Sequence, residues 1–210
     1  MTALLTLVQW LSPAFPTGAF AYSHGLERVV AAGDVTNAAS FEAWLRNILH
    51  HGAGWQDAVL LCAALQPDAD HDALDALARA LQPSSERLQE SAEQGAALAR
   101  TVGALTRRPL PQRLLPVAAG EAATPLGLLP AQVAQLYLHS FAGNLCTIAT
   151  RHVPLGQTEG QGSLSRLLPD IETLGSRAAT STLDDLGSCA VAADLAAFQH
   201  ETIDVRIFRT

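Results

Sequence analysis

The chain contains no lysine: all 13 of its basic residues are arginine. A Walker phosphate loop needs its lysine and a Schiff-base enzyme needs a side-chain amine, so neither chemistry can be built on these side chains. Cysteine is scarce. Cys62, Cys146 and Cys189 lie far apart with no Cys-x-x-Cys pair, which argues against a disulfide framework and for a reducing, cytoplasmic setting. A Gly-x-Ser-x-Gly elbow, a His-Glu-x-x-His helix and a dinucleotide-binding glycine motif are all missing, so no catalytic residue is assigned. Charged residues make up only 16% of the chain and the formal net charge is -7. An acidic chain without a basic cluster is a poor nucleic-acid binder.

What is present is apolar and helical. Hydrophobic residues reach 49%, rich enough to imply an oligomeric or partner-binding face. The 210 residues contain no linker, and the expectation is one domain spanning 1–210. The opening MTALLTLVQWLS lacks a basic n-region and is too short to span a bilayer. The uncharged run Ala131–Thr150 carries Gln132, Gln135, His139, Ser140, Asn144 and Thr147. It reads as a central core helix begun by Pro130, too polar to lie in lipid, and His139 reads as a hydrogen-bonded core or interface histidine.

Helical periodicity accounts for most of the remainder. The pattern predicts a helix over 19–32, a clear one beginning at Asn37 or Ser40, another over 55–65 and one over 73–81. A long helix capped by Ser84 or Ser85 should run to about Arg107, with Leu88, Gly95, Leu98, Val102 and Leu105 near its inner side. Further helices are expected over 117–123, around 164–168, over 169–180 and near 191–199. Asp68, Asp70 and Asp72 imitate a calcium loop, but Ala73 and Arg79 stand at its sixth and twelfth positions. An N-cap explains the same carboxylates. Gly95 in mid-helix costs up to ~1 kcal/mol against alanine, which implies close approach of another helix. The fold class is all-α: a single-domain multi-helix bundle with an extended C-terminal docking tail at about 187–210. The exposed hydrophobes and arginines of that tail dock either on their own domain or on a partner.

Four stretches stand out from this background. They are SPAFPTGAFAYSHGLE (12–27), SAEQGAAL (91–98), PLGQTEGQ (154–161) and the tail, where HETIDVRIFR occupies 200–209. Chemistry alone reads the first as a proline-stapled helix connection whose aromatics plug the core. Together, in this order, they resemble the signatures of the urease accessory protein F (UreF) family. Cys189-Ala190-Val191 stands where that family usually has a proline-bearing turn, and Phe198 where methionine is common.

The resemblance implies an all-helical cytoplasmic chaperone of urease maturation. Such a protein would form a homodimer, bind the UreD (UreH) accessory protein and recruit the GTPase UreG to apo-urease. Nickel and GTP are implied for the partner complex, with no cofactor bound by the chain itself. The partner-binding candidates carried over are Tyr22, His24, Glu27, Gln94, Gly95, Gln157, Gln161, His200, Glu201, Arg206, Phe208 and Arg209. Phe208 would be an apolar anchor, and Arg206 and Arg209 charge-assisted donors to the scaffold partner. Scaffolding and regulation of the partner GTPase by an inserted arginine both remain open. So do direct nickel binding by His24, His50, His51, His200 or Cys189, and an unrelated helical enzyme that would turn over a substrate unaided.

Overall fold

The computed structural model describes residues 1–187 and 189–210, so Ser188, inside the expected tail range, falls outside the described residues. Among the described residues the helices are α1 Thr2–Trp10, α2 Leu26–Ala31, α3 Ala38–His51, α4 Ala53–Ala64 and α5 His71–Ala80. They continue with α6 Ser85–Thr106, α7 Leu115–Ala123, α8 Pro130–His152, α9 Gln157–Ala178 and α10 Val191–His200. Short 3-10 turns occupy Ala19–Ala21, Thr124–Leu126 and Leu183–Asp185, and no strand is present among these residues. The chain is all-α.

Local chemistry explains where the helices begin. Asn37 Oδ1 accepts from the Ser40 amide at 3.0 Å while Ser40 Oγ accepts from the Asn37 amide at 3.2 Å, a reciprocal cap that uses both residues between which the sequence did not choose. Asp70 Oδ1 accepts from the Ala73 amide at 3.0 Å, so the acidic run does cap α5. Ser84 Oγ does the same for α6. α4 is buried nearly all round, from Trp55 through Cys62, and packs against α3, α7, α8 and α9. A helix with no polar face has to lie inside other helices. After a short link, α9 packs along α8 in the most extensive helix pair of the molecule.

Five expectations change. The helix expected over 19–32 is broken: a 3-10 turn at 19–21 is followed by His24 at φ 58° and Gly25 at φ 78°, and only Leu26–Ala31 is α-helical. Left-handed backbone cannot continue a right-handed helix. The two helices expected around Pro169 are one, because Pro169 and Ser165 both lie on the exposed face. There the missing amide leaves a carbonyl that water can reach. His139 is exposed, which removes the core half of its core-or-interface reading, and Leu105, expected on the inner side of α6, is 58% exposed. Gly95 does allow a close approach, but of the segment entering α7: a Cβ there would lie 2.0 Å from the Arg113 carbonyl oxygen.

Candidate docking site

α6 presents Glu86, Glu90 and Glu93 at i, i+4 and i+7, one helical face. α10 delivers the chain to that face, and its approach to α2 depends on Gly25. At φ 78° a side chain is strained, and a Cβ would come within 3.0 Å of the Ala197 amide nitrogen. The tail after His200 then turns back across α2 and α6.

Glu27 is the hub. Only 5% exposed, its carboxylate accepts the amides of Ile207 at 2.8 Å and Phe208 at 3.0 Å, and lies 3.1 Å from His200 Nε2. Burial pushes the Glu27 carboxyl up, but those two N–H donors and the imidazole outweigh it and hold it below the usual carboxylate range. His200 is fully buried, with Nδ1 2.7 Å from Glu86 Oε2, so one ring joins two carboxylates. Arg206 bridges Glu86 and the Glu201 carbonyl. The Glu201 carboxylate caps α6, accepting from the Ser85 amide at 2.8 Å and hydroxyl at 2.7 Å.

Further along, Arg209 grips both oxygens of Glu93, with Nη2 at 2.9 Å, and donates to the Tyr22 hydroxyl at 3.1 Å. Burial and then the Glu93 carboxylate raise the Tyr22 phenol above its ordinary value, so it donates its proton to Glu93. The backbone pairs with the first signature stretch: the Arg209 amide donates to the Ala21 carbonyl and the Ser23 amide to the Thr210 carbonyl, each at 2.8 Å. Thr210 Oγ1 donates to Glu90 at 2.7 Å. Phe208 is 7% exposed and meets His152 edge-on at 5.8 Å.

Behind this seat lies a second cluster. Burial raises Glu90, yet the Arg87 charge and His24 outweigh it and hold the carboxyl at about 2. His24 is lowered by burial and by Arg87, and its Nδ1 has no hydrogen-bond partner. Burial pushes Asp57 up to about 6 although it accepts from the Tyr137 hydroxyl at 2.7 Å. These groups line the inner end of a cavity of about 320 Å³ walled by Trp10, Phe20, Leu98 and Phe141.

Of the residues singled out in the sequence, Tyr22, Glu27, His200, Glu201, Arg206, Phe208 and Arg209 come together in the tail seat, and the amide of His24 joins them through Thr210 Oγ1. Gln94 reaches the cluster from the side, donating to Glu90 Oε1 at 3.2 Å. Gly95 serves the α6–α7 crossing. Gln157 and Gln161 sit exposed on the first turns of α9 and join none of these bonds. Arg206, Phe208 and Arg209, expected as contacts to a partner, all have partners within this chain. Glu86, Glu90 and Glu93 were missed in the sequence, although their spacing on α6 and the Arg206/Arg209 spacing were a readable match of charges.

The arrangement is adhesive. Its carboxylates are occupied by tail donors, and among the described residues no three His, Cys, Asp or Glu side chains group so as to hold a metal ion. His50 lies against Asp170 at 2.6 Å, Cys189 is exposed, and burial raises the Cys62 thiol to about 12. Outside the seat, α10 shows Val191, Leu195 and Phe198 at 71%, 51% and 59% exposure, and the tail leaves Val205 and Ile207 exposed. That i, i+4, i+7 stripe stays bare among the described residues.

A family model described as UreF matches residues 35–168. The urease accessory protein UreF of Cereibacter sphaeroides is 59% identical over 208 residues, covering 99% of each chain. That of Paracoccus denitrificans is 50% identical over 208 residues, 99% of this chain and 96% of its own. The Roseobacter denitrificans protein of the same name is 46% identical over 209 residues, 99% and 94%.

Proposed function

The chain belongs to the UreF family of urease accessory proteins, and from that premise we propose that it serves urease maturation as a non-catalytic, dimeric cytoplasmic scaffold. It binds a UreD/UreH-type accessory protein and recruits a UreG-type GTPase to apo-urease, while nickel and GTP are carried by those partners. The observation that supports docking most directly is the bare apolar stripe of α10 beside the seated tail. Large hydrophobes in one stripe, rimmed by polar residues, are the surface expected of an interface core. The seat supports this by ordering the tail, which leaves Val205 and Ile207 exposed as well. No helix among the described residues is long and apolar enough to cross a membrane.

The test is co-elution. Leu195→Asp and Phe198→Asp alter exposed positions and leave the core intact. They should abolish co-elution with the UreD/UreH-type protein, as should removal of residues 200–210. Unchanged co-elution of the double variant would reject this face as the docking surface.

GTPase regulation by an inserted arginine is a narrower second reading. Arg206 and Arg209 hold carboxylates, as do Arg46, Arg79, Arg87, Arg113 and Arg166. Arg108 donates to backbone carbonyls and Arg177 covers the Trp55 ring. That leaves Arg28, Arg100, Arg107 and Arg151 as the candidates. Alanine at each, with the partner's GTP turnover measured, tests the reading. Direct nickel binding draws no support from His200 or His50, whose rings already face carboxylates, and equilibrium dialysis of the isolated chain tests it.

A further inference from the structure

The 320 Å³ cavity and a shallower concavity of about 270 Å³ between α8 and the tail share two rim residues, Phe20 and Arg151. Phe20 is 64% exposed and Ile207, on the far side, 69%. Arg151 is exposed in the last turn of α8. There the helix C-terminus favours a cation, but none of the guanidinium donors finds a hydrogen bond or ion pair among the described residues. In an acidic chain, whose carboxylates on the neighbouring seat are all occupied by the tail, this is an unspent positive charge between two apolar hollows.

The larger hollow sets aromatic and aliphatic groups beside polar ones such as Ser12, Ser140 and Asn144. His24, 6% exposed, lines it with Glu90 and Asp57; its Nδ1 makes no hydrogen bond and lies 3.9 Å from Glu90 Oε1. About 320 Å³ lies at the small end of the roughly 300–1,000 Å³ usual for binding pockets, the size for one aromatic side chain. A tyrosine or tryptophan has the matching form, an apolar body with a donor at its tip. Phenylalanine or leucine would leave the His24 ring nitrogen without a hydrogen bond.

We propose that the Phe20–Arg151 rim is a docking site for a partner segment in which a tyrosine or tryptophan is flanked by aspartate or glutamate. The aromatic ring enters the cavity beside Trp10 and Phe141 with its donor toward His24, Glu90 and Asp57. The flanking carboxylate pairs with Arg151, and an adjoining apolar group rests against Ile207. This is a surface distinct from the α10 stripe. Its use in urease maturation rests on the scaffold reading above, and its binding chemistry does not.

The test titrates the full isolated chain, observed by amide NMR, with acetyl-Asp-Trp-Asp-amide and with acetyl-Lys-Trp-Lys-amide. The acidic peptide should give saturable shifts at Phe20, His24 and Arg151, with at least tenfold higher affinity than the basic one. Arg151→Glu should erase or reverse that preference. Thr147→Trp, at an exposed position on the cavity mouth, should block both peptides. Both variants should keep the parent's thermal midpoint. Absence of saturable shifts at these residues, or equal affinity for the two peptides, overturns the proposal. So does a change in the chain's own sedimentation on Arg151→Glu without any peptide preference, which would mark the face as a contact between copies. Peptide failure with co-elution preserved rejects this surface alone, and loss of co-elution with peptide binding preserved rejects the scaffold reading alone.

Discussion

Glu27→Ala should release the tail while leaving the helical body folded. Ordering residues 206–210 costs roughly 1–2 kcal/mol of backbone entropy for each residue, about 5–10 kcal/mol in all. Against this stand burial of Phe208, about 1.5–3 kcal/mol, and hydrogen bonds to carboxylates at roughly 1.5–3 kcal/mol each. Two of those are the Ile207 and Phe208 amides on Glu27. Their loss alone removes about 3–6 kcal/mol. The low end corresponds to a roughly hundredfold more open tail, since each 1.4 kcal/mol is tenfold. It also leaves the buried His200 with Glu86 alone. Amide hydrogen exchange by NMR is the assay. Protection at Ile207 and Phe208 should fall at least a hundredfold, while Leu138 and Leu145 in α8 keep theirs. Glu27→Gln, with one acceptor oxygen instead of two, should fall between. Protection at 207 and 208 unchanged in Glu27→Ala would refute the assignment of Glu27 as the hub.

Asp57→Asn should stabilise the chain at pH 8 and do nothing at pH 3. A carboxyl raised from 3.8 to about 6 contributes stability that is full below the unfolded value and lost as pH rises through the folded one. The loss avoided is about 3 kcal/mol, and urea midpoints at the two pH values measure it; an equal shift at both would reject the cause. Gly25→Ala should lower the thermal midpoint more than Gly33→Ala. Both have left-handed φ, but only at Gly25 does a Cβ meet backbone, the Ala197 amide, whereas Gly33 faces open space. Arg209→Ala should cost the whole fold no more than about 1 kcal/mol, because its pair with Glu93 is half exposed. It should nonetheless raise amide exchange at Arg209 and Ser23, and unaltered exchange there would show that the Glu93 grip does not hold the tail.

Helix content was legible because it is a local property. The caps at Asn37, Ser40, Asp70 and Ser84, the periodicity of α3 and the Pro130 start of α8 depend on residues within one or two turns of each other. The misreadings came where a distant element overrode local preference. His24 and Gly25 take left-handed backbone because α10 packs on them, a neighbour about 170 residues away. Pro169 passes without breaking α9 because its unbonded carbonyl faces water, and whether a carbonyl faces water is a matter of packing. His139 looked like a core residue because its run is uncharged, but on an amphipathic helix the exposed side need not carry charge.

The candidate site divides in the same way. The chain's composition alone ruled out lysine chemistry, and four stretches of sequence were enough to bring the residues of the seat to notice. Neither could say that Glu27, Glu86, Glu90 and Glu93 spend their charge on the chain's own tail, nor that Arg151 keeps its charge unspent between two hollows. Sequence determines which groups a chain carries and how each short segment folds, since those follow from bonded neighbours. Which charges are neutralised, which donors are left over and which apolar faces stay bare depend on contacts made across the whole chain, and only the packed helices decide them.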